Sequence, residues 1–324
     1  MRTLRLLILG SRPRTWALSV CPVLVALLCA SMDSYLLGTT FWSGSVRVPL
    51  EALLCVVVAL SLQISANFSN DYIDGIRSVD RLRGDGAPVR MNAAGGIAQP
   101  LALRAALATS LFGVVAGVAA VCLSRQYWLL GVGALCVLAA WGYSSWASAR
   151  GLGELLAFLF FGPVVVLCVE ALILSGGGGS AHVGPWALLG SVQCGVLAAS
   201  VLLVNNLRDE YSDRAAGKRT LVVRWGGAFG RWLLAAWLGC VLVLSWGQFF
   251  VALFTLSFRV NVWLSLADVL VLAALNAVTI WGLLHVWRAV KRPAFYARVF
   301  SSVNLLMILL TLHTAAVWLV ANAL

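Results

Sequence analysis

Two eight-residue stretches hold the side chains most able to do chemistry. They are Asn67-Phe68-Ser69-Asn70-Asp71-Tyr72-Ile73-Asp74 and Asn206-Leu207-Arg208-Asp209-Glu210-Tyr211-Ser212-Asp213. Both read N-x-x-[N/D]-[D/E]-Y-x-D. On a helix, Asn67, Asp71 and Asp74 share one face, and so do Asn206, Glu210 and Asp213, with Asp209 alongside. Carboxylates and carboxamides are hard oxygen donors. Magnesium takes such donors, typically a few carboxylates together with substrate phosphates. The expectation is therefore two acidic helix ends facing each other across a diphosphate. Mg2+ would be held by Asp71, Asp74, Asp209 and Asp213, with Asn67 and Asn206 as neutral ligands or orienting groups. Lys218, Arg219, Arg90 and Arg150 would take the remaining phosphate oxygens through charge-assisted hydrogen bonds.

Such a site does more than bind. Neutralising the charge that grows on a departing diphosphate is transition-state stabilisation. If the diphosphate sits on an allylic chain, its departure leaves a delocalised carbocation, which needs dry or π-rich walls. Trp141, Tyr143, Trp146 and Phe158 are available for that.

The elements that must position these residues are membrane spans. Of the 324 residues, 61% are hydrophobic and only 11% charged. Runs of about 20 apolar residues recur, as a polytopic helical membrane protein requires. The short alternating strands of a closed barrel are absent. Nine spans are predicted: residues 15–30, 50–70, 101–123, 127–146, 155–174, 186–207, 232–254, 264–287 and 299–320. The fold class is all-α, a single membrane-embedded domain over 1–324. Each acidic stretch closes a span. This placement suggests an internal duplication, about 10–150 and 151–290, followed by a final helix.

Charge orients the bundle. With nine spans, all of the 23 Lys and Arg residues except Arg47, Arg125 and Arg259 fall on one side. The positive-inside rule then puts the N-terminus and both acidic stretches at the cytoplasmic face and the C-terminus outside. The basic residues lie in short loops between spans, which argues for phosphate binding and against nucleic acid as a partner. The eight cysteines all lie in apolar runs, without a CxxC pair, and read as small buried hydrophobes. His285 and His313 have no carboxylate at helical spacing and read as packing or interfacial residues. The N-terminal run with Arg2 and Arg5 is interrupted by Arg12-Pro13-Arg14, so the first span is read as retained.

Acids in membrane helices also suit a cation-coupled transporter. Transporter sites lie near the midplane, commonly on broken helices. Here the acids cluster at one face and run into arginine-rich loops, which favours a phosphate substrate.

Four stretches resemble the UbiA superfamily of membrane prenyltransferases, most closely its MenA type, which prenylates 1,4-dihydroxy-2-naphthoate. They are Ser11-Arg12-Pro13-Arg14-Thr15-Trp16; Asn70-Asp71-Tyr72-Ile73-Asp74-Gly75 with Asp80; Gly151-Leu152-Gly153-Glu154; and Asn205-Asn206-Leu207-Arg208-Asp209 with Asp213-Arg214-Ala215-Ala216-Gly217-Lys218-Arg219-Thr220-Leu221. The resemblance implies nine helices around a central cavity in the cytoplasmic membrane. It implies Mg2+-dependent transfer from a polyprenyl diphosphate to an aromatic acceptor, 1,4-dihydroxy-2-naphthoate, with loss of its carboxylate. It makes Asp71, Asp74, Asp209 and Asp213 the metal–diphosphate ligands, supported by Asn67, Asn70 and Asn206. It gives Lys218 and Arg219 to the diphosphate and a catalytic place to Tyr143. The alternative acceptors are 4-hydroxybenzoate and homogentisate. Glu154 and Arg150 are the candidates for handling the acceptor's proton or carboxylate.

Overall fold

The structure is a computed structural model. It describes residues 2–37, 46–76, 98–142, 150–175, 181–255, 262–290, 292 and 294–322. In lipid, every backbone polar group must be satisfied within the segment. The apolar runs accordingly fold as helices, and the described residues contain no strand. In chain order the α-helices are α1 (Arg2–Ser11), α2 (Ala17–Leu37), α3 (Arg47–Ile76), α4 (Ala98–Ser124), α5 (Leu129–Gly142), α6 (Gly153–Leu159), α7 (Val165–Leu174), α8 (Pro185–Arg208), α9 (Glu210–Ala215), α10 (Leu221–Thr255), α11 (Val262–Arg288) and α12 (Phe295–Asn322). A π-helical turn, Phe160–Val164, joins α6 to α7, so the two make one span.

Eight of the nine expected spans are helices long and apolar enough to cross a bilayer. The expected fourth, 127–146, is described only as α5, with 14 residues, because 143–149 lie outside the described residues. The sequence reading did not anticipate α1. Its Leu6 packs with Phe68, Ala102 and Ala106 beneath the acidic end of α3, while Leu4, Ile8 and Leu9 are exposed. Arg12, left-handed at φ 51°, and Pro13 end that helix and turn the chain into α2.

The most thoroughly buried span is α8, which packs against α2, α6, α10 and α12. Small residues let it do so. A Cβ at Gly162 would stand 2.3 Å from the Ser191 carbonyl oxygen, and one at Gly195 would stand 2.6 Å from the Phe158 carbonyl oxygen. The π turn thus rests directly on the α8 backbone at Gly162. By contrast, α3 is long. Its 30 residues extend about 45 Å, against a hydrocarbon core of about 30 Å. That is more than a perpendicular crossing needs, and Asp71 and Asp74 fall in its last two turns. Ser65 Oγ, bonded to the Ala106 carbonyl at 3.0 Å and to Ser110 Oγ at 2.6 Å, fixes α3 to α4 just below that end.

His313 has a carboxylate partner after all, supplied from across the helix interface. Its Nδ1 lies 2.7 Å from Asp268 Oδ1, joining α12 to α11 with both side chains buried. Spacing along one helix cannot reveal a partner on the next. His285 packs on Trp281, with ring centroids 4.0 Å apart, as an interfacial residue would.

Candidate active site

A cavity of about 1220 Å3 runs between α3, α4, α5, α6, α7 and α8. Its polar end is lined by Asn67, Asn70 and Asp71 from α3, and by Asn205, Asn206, Asp209, Asp213 and Lys218 from the second acidic stretch. The two stretches therefore face one space, as expected from sequence. Asp74 belongs to the last turn of α3, and its side chain lies outside what the structure describes.

The first acidic end is straight and braced from the N-terminus. Arg12 Nη2 lies 2.6 Å from Asp71 Oδ1, and the Asp71 side chain is 1% exposed against 28% for Arg12. The left-handed turn at Arg12 is held by Thr15 Oγ1 on the Arg12 carbonyl (2.9 Å) and by Trp16 Nε1 on the Ser11 carbonyl (3.1 Å). Asn67 Nδ2 donates to the same Ser11 carbonyl at 3.3 Å, and Gln63 Nε2 donates to the Thr15 carbonyl at 2.7 Å. Sequence reasoning assigned Arg12 no part in the site. The signal was the Ser11–Trp16 signature itself, whose compact turn places a guanidinium on the first aspartate.

The second acidic end is broken. The helix α8 stops at Arg208, and Asp209 (φ −94°, ψ 10°) forms the corner before α9. The expected i, i+4, i+7 face therefore does not form. Glu210 turns away, pairs with Arg214 at 3.1 Å and does not line the cavity, whereas Asp209 does. Arg208 grips Asp209 with both fork atoms, Nε to Oδ1 at 2.7 Å and Nη2 to Oδ2 at 2.8 Å. Gly217, left-handed at φ 72°, reverses the chain after α9. The Lys218 amide then reaches the Asp213 carbonyl at 2.9 Å, and its Nζ lies 3.3 Å from Asp213 Oδ1.

The Gly151–Glu154 loop supports this corner. Gly151 is left-handed (φ 76°), and a Cβ there would stand 2.5 Å from the Arg219 carbonyl oxygen. Glu154, buried behind the cavity wall, accepts a hydrogen bond from Asn206 Nδ2 at 2.7 Å. That contact makes Glu154 an orienting group for Asn206. Arg150 and Arg219 are exposed and do not line the cavity. Arg90 and Tyr143 lie outside the described residues, as does Trp146. The aromatic wall also differs from expectation. Trp141 Nε1 donates to Ser110 Oγ at 3.0 Å, and Phe158 packs on Gly195. Phe160 and Phe161, on the π turn, line the cavity in their place.

The donor set suits a hard cation, since every acidic or amide group at the polar end offers oxygen. Among the described residues, however, no three carboxylate, histidine or cysteine side chains converge into a metal cage. A magnesium ion here would have to complete its shell with substrate phosphate or water, which is its usual habit. Each of the three aspartates described at the polar end touches a cation: Asp71 with Arg12, Asp209 with Arg208, Asp213 with Lys218. Paired in this way, the acidic end needs no ligand to balance its charge.

Beyond the polar end the walls are apolar, from Leu62 and Phe160 to Val121, Leu129 and Leu172 near the opposite ends of α4, α5 and α7. One cavity therefore joins a phosphate-type end to a chain-type channel.

Known proteins share this fold and much of this sequence. Residues 31–308 match the UbiA prenyltransferase family. The 1,4-dihydroxy-2-naphthoate octaprenyltransferase of Mycobacterium tuberculosis is 37% identical over 73% of this chain and 75% of its own length. The enzyme of the same name from Escherichia coli is 35% identical over 67% and 70%. The apo structure of a UbiA homolog from Aeropyrum pernix K1 superposes with a TM-score of 0.66 at 16% identity, over 93% of this chain and 97% of its own. A UbiA homolog from Archaeoglobus fulgidus bound to DMAPP and Mg2+ gives 0.55 at 16% identity, over 98% and 99%. The structures speak for the fold, and the sequence matches, which span most of both chains, speak for descent: the chain is a membrane prenyltransferase of the UbiA family.

Proposed function

We propose that this enzyme transfers a polyprenyl group from an allylic polyprenyl diphosphate to 1,4-dihydroxy-2-naphthoate. The allylic C–O bond breaks and diphosphate leaves. A C–C bond forms at the ring carbon that bears the carboxylate, and that carboxylate departs as carbon dioxide. The product is demethylmenaquinol, the reduced form of demethylmenaquinone. The observation that carries the reading is the single cavity, with both asparagine–aspartate helix ends at one end and an apolar channel at the other. The relatives named for this acceptor support the choice of ring.

In this reading, Asp71, Asp74, Asp209 and Asp213 hold the metal–diphosphate, and Asn67, Asn70 and Asn206 orient it. Magnesium, when bound, would neutralise charge growing on the leaving diphosphate. Arg12 and Lys218 exchange their aspartate partners for phosphate oxygens as the substrate arrives. The guanidinium and ammonium are then already in place, and little reorganisation is left for the bond-breaking step. Phe160 and Phe161 shield the allylic cation from water and offer it their ring faces. The family resemblance adds Arg90, Arg150 and Arg219 as diphosphate-binding candidates and Tyr143 as a catalytic one. By the positive-inside rule, the asymmetry of basic residues argues for a polar end facing the cytoplasm.

Mass spectrometry of products from purified protein, magnesium and one prenyl diphosphate tests the acceptor. The rings 1,4-dihydroxy-2-naphthoate, 4-hydroxybenzoate and homogentisate are offered together. The expected product is the prenylated naphthalenediol without its carboxylate. Prenylation of either benzenoid ring in preference would overturn the assignment.

A further inference from the structure

Among the described residues, four basic side chains line the cavity: Arg12, Arg14, Arg208 and Lys218. Three of them are paired with Asp71, Asp209 and Asp213. Arg14 is the exception. Its side chain is exposed at the cavity and meets no carboxylate among the described residues. The turn that carries it is fixed. Pro13–Thr15 form a single 3-10 turn, and the Thr15 carbonyl accepts a hydrogen bond from Gln63 Nε2 at 2.7 Å. Arg12 and Arg14 are two positions apart, and residues so spaced do not face each other on a helical turn. Arg12 is turned to Asp71, so Arg14 addresses a different part of the same space.

That part is bordered by helices that stay out of the apolar channel. The helix α2 gives the cavity only Leu18, and α12 gives it only Ala297 and Phe300, all within the first two turns of their helices. These two helices pack on each other and on α8, which brings Asn205 to the same cavity. The start of α12 is set beside the second acidic end, where the Arg231 guanidinium bonds the Tyr296 hydroxyl within electrostatic range of Glu210. A free guanidinium, an aromatic ring and a carboxamide are thus gathered near the polar end, outside the walls of the tail channel.

Building on the prenyl-transfer reading above, we propose that Arg14 binds the carboxylate of the aromatic acceptor and so selects and aims the ring. All three rings considered above carry a carboxylate, so the assignment holds for whichever of them is the substrate. A planar guanidinium fork matches a carboxylate as a bidentate pair. Phe300 offers the ring a stacking partner, and the Asn205 carboxamide can donate to or accept from a ring hydroxyl. In 1,4-dihydroxy-2-naphthoate the carboxylate sits on the carbon that forms the new bond, so holding it orients that carbon for attack on the allylic cation. The two residues expected from sequence to handle this group are engaged elsewhere. Glu154 is bonded to Asn206 behind the cavity wall, and Arg150 does not line the cavity. The diphosphate, for its part, already has Arg12, Arg208 and Lys218 at its end of the site.

The test is a split between two Michaelis constants. Arg14→Gln removes the charge from an exposed side chain, and KM does not depend on the fraction of protein that is folded. With the ring that the wild type prenylates, the acceptor KM is expected to rise about ten-fold or more while the KM for the prenyl diphosphate stays within about two-fold, and Arg14→Lys is expected to recover part of the loss. An equal rise in the donor KM would make Arg14 a phosphate ligand, and a change below about two-fold in both would make it a solvated turn residue; either result overturns the site and leaves prenyl transfer standing. A second measurement needs no variant. In the wild type, 2-naphthoate should compete with the acceptor about ten-fold better than its neutral amide, 2-naphthamide, and equal competition overturns the carboxylate site. A wild-type protein that prenylates none of the three rings would instead sink the function on which the site rests.

Discussion

The same eight-residue pattern ends two helices of this molecule, and the two ends are built differently. At the first, α3 runs unbroken through Asn67, Asn70 and Asp71, and the cation that meets its aspartate, Arg12, comes from a distant N-terminal turn. At the second, the helix stops at Arg208, and both cations are local: Arg208 is adjacent to Asp209, and Lys218 is returned onto Asp213 by the turn at Gly217. The comparison teaches that a motif specifies donor atoms, whereas the backbone decides which of them face the substrate. A straight helix presents positions i and i+4. A corner presents the residue at the corner and drops its neighbour.

If both ends grip one leaving group, disabling either should be as harmful as disabling the other. Asp71→Asn and Asp209→Asn are each expected to lower kcat by about a hundred- to a thousand-fold, the scale seen when one preorganised stabiliser of developing charge is lost. Chelating divalent cations from the wild type should do comparable damage, reversed by adding magnesium. The measurement is steady-state turnover in detergent on protein that elutes as wild type by size exclusion. Retention of more than a tenth of wild-type turnover in one variant but not the other would mean that only one helix end takes part in the reaction.

The next test separates the borrowed cation from the local ones. Arg12→Ala removes a guanidinium that only the N-terminal turn can supply. A loss of about ten- to a hundred-fold in kcat/KM for the prenyl diphosphate is expected, with partial rescue by Arg12→Lys, because a lysine keeps the charge but not the fork. Should Arg12→Ala leave kcat/KM within two-fold of wild type while lowering only thermal stability, Arg12 would be a brace for α3 and no phosphate ligand.

Much of this was legible in the chain. Apolar runs fixed the spans because lipid permits only self-satisfied helices, and one repeated pattern located the two ends that share the cavity. What stayed hidden had a common physical cause, namely geometry between elements. Arg12 meets Asp71 across 59 positions, and His313 meets Asp268 across 45. No spacing rule within one helix reaches that far. The places of Trp141 and Phe158 were misread for a related reason. Phe158 and Phe160 are both close to the site in sequence, but the face of this span that lines the channel runs through Leu156, Phe160, Val164 and Cys168, and Phe158 lies off that face against Gly195. The break at Asp209 was equally invisible, since nothing in Arg208-Asp209-Glu210 forbids a continuous helix.

The smallest effect tests that break most directly. A continuous helix would put Glu210 on the catalytic face, in register with Asn206 and Asp213. In the structure Glu210 pairs with Arg214 outside the cavity, and a carboxylate oxygen would stand 2.7 Å from a Cβ placed at Gly227, at the start of α10. Its ion pair is partly exposed, and pairs of that kind contribute about 0.3–0.5 kcal/mol along a helix. Glu210→Gln is therefore expected to keep kcat within about two-fold of wild type and to cost little stability. The contrast with Asp209→Asn, one residue earlier, is the point. Two adjacent acids in one motif should differ in effect by about a hundred-fold or more, because the chain turns a corner between them. If Glu210→Gln were as damaging as Asp209→Asn, the second end would have to straighten when substrate binds, and the difference between the two helix ends would disappear in the working enzyme.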